Sequence, residues 1–181
     1  MNTANKLTIF RIIISPLLIV FLKLKEKNQI FSYLALLVFL IASLTDFLDG
    51  FIARKKNLIT NLGKFLDPLA DKILITAAYL CFLELKLISV YVVFLMFTRE
   101  FLVFLIRLVA SKNNKVLAAN FLGKFKTVTQ ILASILTLLY IINNNSFLFY
   151  SYNALVYIST ILTTISGVVY IKQNIKLLTN N

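Results

Sequence analysis

Long apolar segments separated by short polar stretches run along most of this chain. Their lengths approach the roughly 20 residues that an α-helix needs to cross the hydrocarbon core of a bilayer. The pattern therefore predicts an all-α fold, a polytopic membrane bundle of six transmembrane helices. The predicted helices are Leu7–Leu22, Ile30–Ala53, Leu66–Leu85, Leu87–Ala110, Thr127–Ile142 and Phe147–Ile171.

The first predicted helix differs from the others because it is short and contains Arg11 and Pro16. We therefore expect it to begin at the membrane interface. The linkers are short, so residues 1–181 are expected to form a single helical domain. Asn143–Asn145 is typical of a turn between the last two helices. A loop over Lys55–Lys64 is expected to connect the second and third helices.

The charge of the chain indicates what surrounds it. Hydrophobic residues make up 60% of the sequence, and the formal net charge is +12. The basic residues lie between apolar runs, which indicates an anionic membrane surface or anionic substrates rather than nucleic acid. If the N-terminus is inside, most Lys and Arg residues fall at cytoplasmic helix ends. Both termini are therefore expected on the cytoplasmic side, although Lys23, Lys25 and Lys27 would lie outside.

Four of the seven acidic residues are aspartates near the predicted cytoplasmic ends of the second and third helices. Asp46 and Asp49 are three residues apart, and Asp67 and Asp71 are four apart, so each pair shares a helix face. A carboxylate at the bilayer centre costs roughly 2.5–3.5 kcal/mol, and clustered carboxylates also repel one another. Bridging divalent cations would offset both penalties. The alternative is a set of unrelated helix caps, since Asp67 before Pro68 is typical of an N-cap.

The residue types available limit which metal could be bound. The chain has no histidine and one cysteine, so any metal ion must be held by oxygen ligands. Such ligands favour Mg²⁺, Mn²⁺ or Ca²⁺ over Zn²⁺. The aspartates are therefore candidate metal ligands of an active centre. An ion site in a cation transporter is the rival interpretation, but transport would need polar residues in the outer halves of the helices, which are almost wholly apolar.

Small and basic residues close to the aspartates indicate room for a substrate. Gly50 and Ala53 follow Asp46 on nearly the same side of the predicted helix. Small residues allow a ligand to approach closely, although they also serve helix–helix packing. Arg54 can bind a phosphate through two parallel hydrogen bonds, or it can simply flank the membrane.

This segment resembles the signature of the CDP-alcohol phosphotransferase family, class I. The matching residues, with the spacing intact, are Asp46, Asp49, Gly50, Ala53, Arg54, Gly63, Asp67 and Asp71. The resemblance covers nearly the whole chain, because the family also has a six-helix membrane fold. It implies a phosphatidyl transfer in phospholipid biosynthesis, at the cytoplasmic face of a bacterial inner membrane, and by analogy a homodimer with membrane lipids around it.

The resemblance also assigns roles to residues. It implies that Asp46, Asp49, Asp67 and Asp71 hold Mg²⁺ or Mn²⁺, with two ions bound, and that Asp71 is also the general base. The CDP half of the donor, CDP-diacylglycerol, would be lined by the remaining signature residues, which are Gly50, Ala53, Arg54 and Gly63.

Further stretches resemble the branch of the family that uses glycerol 3-phosphate as acceptor and releases CMP. They are Asn5–Thr8 with Arg11, Gly63–Lys72, Thr98–Leu102 with Arg107, and Leu122–Thr127. Related branches use serine, inositol phosphate or phosphatidylglycerol, and these acceptors remain alternatives.

An acceptor that carries a phosphate needs a basic pocket beside the metals. The candidates are Arg107, Lys124 and Lys126, with Arg99 behind them. Two other interpretations stay open at this point. The two lysines can contact anionic lipid, and Arg99 can pair with Glu100 as a purely structural ion pair, because a charge inside a membrane normally has a partner.

Overall fold

The computed structural model describes the backbone of residues 3–56, 61–112 and 121–174, and the side chains of residues 9–45, 72–110 and 122–174. Within these residues α-helix is the main regular secondary structure and no strand is present, as predicted. The helices are α1 (Thr3–Leu24), α2 (Ile30–Lys56), α3 (Asn61–Glu84), α4 (Val90–Lys112), α5 (Phe121–Ile142) and α6 (Ser146–Asn174).

Several helices extend beyond the apolar runs that predicted them. α1 has 22 residues with Pro16 in its interior, so it is longer than expected. α2 continues to Lys56 and α3 begins at Asn61, so the predicted loop over Lys55–Lys64 is much shorter, and Gly63 lies in the first turn of α3. Hydropathy marks the end of an apolar run, whereas Lys and Arg favour helix and let it continue past that run.

Polar side chains cap the first turns of three helices. Asn28 Oδ1 accepts a hydrogen bond from the Ile30 N–H at 2.9 Å, at the start of α2. Asn145 Oδ1 accepts one from the Phe147 N–H at 2.8 Å, at the start of α6. Ser89 caps α4 in the same way. Such caps satisfy backbone donors that have no partner inside the helix. They also confirm the predicted turn between α5 and α6.

The connections that follow α1, α3 and α5 lie at one end of the bundle. Gln29 Nε2 donates a hydrogen bond to the Ile142 carbonyl oxygen at 2.9 Å. Lys23 Nζ lies 3.4 Å from Glu84 Oε1, which joins the ends of α1 and α3. Because consecutive helices run in opposite directions, the opposite end contains the starts of α3 and α5 and the ends of α2, α4 and α6.

Small polar side chains line the contact between α5 and α6. Ser134, Thr137 and Thr163 are fully buried, and each hydroxyl donates to the backbone carbonyl four residues earlier. Gln130 Nε2 also donates to Thr163 Oγ1 at 3.4 Å. Small side chains whose hydroxyls are satisfied within their own helix let two helices approach closely. This packing holds α5 and α6 side by side.

Large apolar side chains cover the outer faces of the bundle. Ile13 is 67% exposed, Phe94 is 65% exposed and Ile161 is 58% exposed. Soluble monomers rarely expose such extended apolar surface, whereas contact with lipid favours it. Among the described residues, Leu122–Ile142 and Ser146–Asn174 are long and apolar enough to cross a membrane by length and composition. The all-α prediction is confirmed, and membrane crossing by all six helices stays a prediction.

Candidate functional site

The four predicted aspartates lie on two helices that contact each other, α2 and α3. The backbone is helical at Asp46 and Asp49 and again at Asp67 and Asp71, so each pair occupies one helix face, as the spacing predicted. Two pairs of aspartates on contacting helices stay the candidate site for divalent cations. The side chains of these residues lie outside the described part of the chain, so their metal contacts stay predictions. The same holds for the CDP-binding candidates, Gly50, Ala53, Arg54 and Gly63.

A group of charged side chains, which we call the basic cluster, lies between α3, α4 and α5. It consists of Lys72, Arg99, Glu100, Arg107 and Lys126. Glu100 Oε1 accepts hydrogen bonds from Arg99 Nη1, at 3.1 Å, and from Lys126 Nζ. Glu100 Oε2 lies 3.6 Å from Lys72 Nζ. One carboxylate on α4 is thus shared by cations from three helices.

The basic cluster is largely buried. The exposed fraction of the side chain is 6% for Lys126, 11% for Arg99, 20% for Glu100 and 30% for Lys72. Buried charges are costly unless they are paired. Several cations share Glu100, so positive charge is in excess within the described part of the site. This excess favours the binding of an anion.

Arg107 is the member of the basic cluster that lies further along α4, beyond Arg99 and Glu100. Its Nε donates a hydrogen bond to Tyr170 Oη on α6 at 3.3 Å. Its guanidinium carbon also lies 5.8 Å from the centre of the Tyr170 ring, a distance typical of a cation–π contact. Lys72 Nζ lies 5.0 Å from the centre of the Phe104 ring, and Arg107 follows Phe104 by about one turn on the same face of α4. Tyr170 therefore fixes the direction of the Arg107 side chain close to the other cations.

Gly167 on α6 leaves space for the stem of Arg99. A Cβ atom added at Gly167 would lie 2.7 Å from Arg99 Cγ, closer than real atoms approach. Because Cγ is near the root of the arginine side chain, Arg99 would have to move as a whole. The absence of a side chain at Gly167 therefore sets the path that Arg99 takes toward Glu100.

The fold places some of the candidate residues for the acceptor phosphate inside the basic cluster and one outside it. Arg107 and Lys126 belong to the basic cluster, and Arg99 lies beside them, as expected. Lys124 is exposed on another side of α5, because residues two apart in a helix do not face the same way. Arg99 does pair with Glu100, which was one of the two interpretations left open for Arg99.

Sequence reasoning missed three features of this site. Lys72 ends the Gly63–Lys72 stretch, but the sequence does not assign it to the acceptor pocket. Glu100 was considered only as a partner of Arg99, and Tyr170 was not considered. An acidic residue within an apolar helix is a signal of function or pairing, so Glu100 was detectable as important. Its lysine partners were not, because they lie on other helices.

Arg11, part of the opening motif, is fully buried. α1 packs against α2 and α3, the helices that carry the aspartates. The Lys23–Glu84 ion pair shows that these two residues lie at a similar level on α1 and α3. Arg11 precedes Lys23 on α1 by the same number of residues as Lys72 precedes Glu84 on α3. Arg11 therefore lies at the level of the aspartate-bearing part of α3.

A sequence model of the CDP-alcohol phosphatidyltransferase family matches residues 1–168. The chain therefore belongs to the CDP-alcohol phosphatidyltransferase family, as the signature predicted. Enzymes of this family generally use divalent metal ions. The chain is a phosphatidyltransferase, and the rival transporter interpretation is not needed to explain the aspartates.

Relatives with known names match almost the entire chain. It is 37% identical to the CDP-diacylglycerol–glycerol-3-phosphate 3-phosphatidyltransferase of Bacillus subtilis (strain 168), covering 96% of this chain and 95% of the relative. The similarly named protein of Rickettsia felis is 36% identical, with 94% of each chain covered. That of Aquifex aeolicus is 33% identical, with 98% of each chain covered.

Proposed function

We propose that this protein transfers the phosphatidyl group of CDP-diacylglycerol to glycerol 3-phosphate, which gives phosphatidylglycerol phosphate and CMP. The names of the relatives support this activity. The observation that carries it is the basic cluster, which begins at Lys72, the residue directly after Asp71. This position in the sequence supports an anionic-acceptor site close to the proposed catalytic base.

The basic cluster suits an acceptor that carries a phosphate monoester. Such a group has a charge of about −1.5 to −2 at neutral pH. Arg107, Lys126 and Lys72 offer charged N–H donors, whose hydrogen bonds to phosphate are stronger than neutral ones. Serine has no phosphate and would leave these donors without a partner. Lys124, which is exposed on α5, stays a further candidate.

Asp71 has the central chemical role in this proposal. Its carboxylate accepts the proton of the acceptor hydroxyl while the hydroxyl oxygen attacks the lipid-side phosphorus of the donor. A new P–O bond forms, the bond from that phosphorus to the bridging oxygen breaks, and CMP leaves with this oxygen. Gly50, Ala53 and Gly63 leave room for the CDP half, and Arg54 pairs with its phosphate.

The aspartates would also provide the metal site. Two Mg²⁺ or Mn²⁺ ions held by Asp46, Asp49, Asp67 and Asp71 would neutralise the pyrophosphate and stabilise the departing CMP. The residues of the chain then orient the acceptor: the basic cluster holds its phosphate, and Asp71 receives the hydroxyl proton.

Purified protein supplied with CDP-diacylglycerol and Mg²⁺ should release CMP with glycerol 3-phosphate and much more slowly with serine, inositol phosphate or phosphatidylglycerol. In the same assay, Arg107→Ala should raise the apparent KM for glycerol 3-phosphate at least about tenfold, which corresponds to roughly 1.4 kcal/mol. The KM for CDP-diacylglycerol should change much less, because Arg54 and the metal site bind that substrate.

Lys172→Ala is the matched control for this measurement. Lys172 is exposed near the end of α6 and outside the basic cluster, so its loss removes one positive charge from the same end of the bundle. Its KM for glycerol 3-phosphate should stay close to that of the wild type. A wild-type KM in Arg107→Ala would remove Arg107 from the acceptor site, and faster CMP release with serine would reject the proposed acceptor.

We also propose that all six helices of this single domain cross a bacterial inner membrane, with both termini and the active site on the cytoplasmic side. The distribution of Lys and Arg supports this orientation. A homodimer stays a prediction from analogy.

Single cysteines test this orientation in a Cys81→Ser background. Asn144→Cys, in the exposed turn between α5 and α6, should react with an impermeant thiol reagent in cells with an intact inner membrane. Lys172→Cys, at the opposite end of α6, should react only after the membrane is opened. Labelling in the reverse pattern would invert the proposed orientation.

A further inference from the structure

Glu100 contacts several cationic side chains, whereas an ordinary ion pair has a single cation. It contacts Lys72 on α3, Arg99 on α4 and Lys126 on α5. Lys126 and Arg99 meet the same oxygen, Oε1, and Lys72 lies near the other oxygen, Oε2. The carboxylate therefore sits at the point where side chains from three helices converge.

Fold stability alone does not explain this arrangement. A buried ion pair contributes little net stability relative to apolar side chains of similar volume, because both charges lose their hydration. Among the described side chains the cations also repel one another, since the shared carboxylate of Glu100 balances only one of them. An apolar contact would hold α3, α4 and α5 together at lower cost. The charges are therefore better explained by a function that needs cations at fixed positions.

Among the described residues, the hydrogen bonds to Glu100 leave further donors on each of its cations. A lysine ammonium has three N–H donors and a guanidinium has five, and Glu100 takes only part of each set. Arg99 Nε, for example, is buried and makes no hydrogen bond in the part of the chain that the structure describes. Lysine side chains lose substantial rotamer freedom when they are fixed. A lysine that is already held by Glu100 loses less on binding a phosphate.

We propose that Glu100 is a positioning residue of the acceptor site, which holds Lys126, Lys72 and Arg99 so that their remaining donors face the phosphate of the acceptor. This inference rests on the proposed function. Glu100 touches neither the acceptor nor the reacting atoms. Its effect is exerted through the lysines, and it therefore concerns acceptor binding rather than the chemical step.

The sign of the effect distinguishes positioning from simple electrostatics. A negative charge near a bound dianion repels it, so by charge alone the loss of Glu100 should improve acceptor binding. If Glu100 positions the lysines, its loss should weaken acceptor binding, because Lys126 and Lys72 lose the group that orients them. The two effects predict opposite changes in the KM for glycerol 3-phosphate.

Glu100→Gln tests this directly, since it removes the charge and keeps the shape. We expect the KM for glycerol 3-phosphate to rise at least about tenfold, while kcat at saturating acceptor and the KM for CDP-diacylglycerol change by less than about threefold. Glu100→Asp keeps the charge on a shorter side chain and should show an intermediate KM, about threefold above the wild type. A structural defect would instead lower kcat together with the fraction of active enzyme. It would not raise the KM for one substrate alone.

Glu84→Gln is the control, because it makes the same chemical change in the exposed Lys23–Glu84 pair at the opposite end of the bundle. It should leave both KM values unchanged. If folded Glu100→Gln keeps or lowers the wild-type KM for glycerol 3-phosphate, the positioning role is wrong. If Glu100→Gln does not fold, a wild-type KM in Glu100→Asp overturns it instead. The wild type is measured first. If it releases no CMP with glycerol 3-phosphate, the proposed function is rejected before any variant is compared.

Discussion

Asp71→Asn should lower kcat by about 10²–10⁴-fold, the usual contribution of a general base. Asparagine has almost the same shape as aspartate but cannot accept the proton of the acceptor hydroxyl. Loss of a metal ligand would add to this effect. The measurement is CMP release at saturating CDP-diacylglycerol and glycerol 3-phosphate, because saturation separates turnover from binding.

Two further variants show whether the effect belongs to the base. Asp46→Asn removes a predicted metal ligand from α2, so it should weaken CDP-diacylglycerol binding more than Asp71→Asn does. Glu84→Gln neutralises an exposed acid at the opposite end of α3 and should retain full turnover. Near-normal kcat in Asp71→Asn would show that another group accepts the proton.

Removal of divalent metal should abolish activity. Excess EDTA is expected to stop CMP release, and addition of Mg²⁺ or Mn²⁺ beyond the EDTA concentration should restore it. The physical reason is that four clustered carboxylates and a donor pyrophosphate repel one another strongly unless cations lie between them. Oxygen ligands without histidine favour these hard cations.

EDTA that has been saturated with Mg²⁺ beforehand is the control for this experiment, because it contains the chelator without removing the metal. It should leave the rate unchanged. Full activity in excess free EDTA would contradict the two-metal site and with it the roles assigned to the four aspartates.

The helices could be predicted from the sequence because their signal is local. Each apolar run produced a helix within a few residues of the expected position, and Asn143–Asn145 connects α5 and α6 as predicted. The errors are at helix ends, where Lys55 and Lys56 extend α2 past the hydrophobic stretch. Hydropathy reports the part of a helix that prefers lipid, whereas the helix itself ends where backbone capping becomes favourable.

The acceptor site could be predicted only in part. Arg107 and Lys126 were identified as basic residues near the aspartates, and both belong to the basic cluster. Lys124 was grouped with Lys126, but a separation of two residues places them on different sides of α5. Lys72 was not assigned, because nothing in its own neighbourhood shows that Glu100 lies 3.6 Å from its Nζ atom.

The sequence by itself determined the family, the all-α class and the four aspartates as the candidate metal site, since these depend on residue types and on spacing within single helices. The tertiary structure decided which charges meet. Glu100 binds Lys126 from α5, and Gly167 of α6 gives Arg99 its path, because the packing of the bundle sets how each helix is rotated and shifted against its neighbours. That rotation depends on contacts between residues far apart in the chain, and no local spacing encodes it.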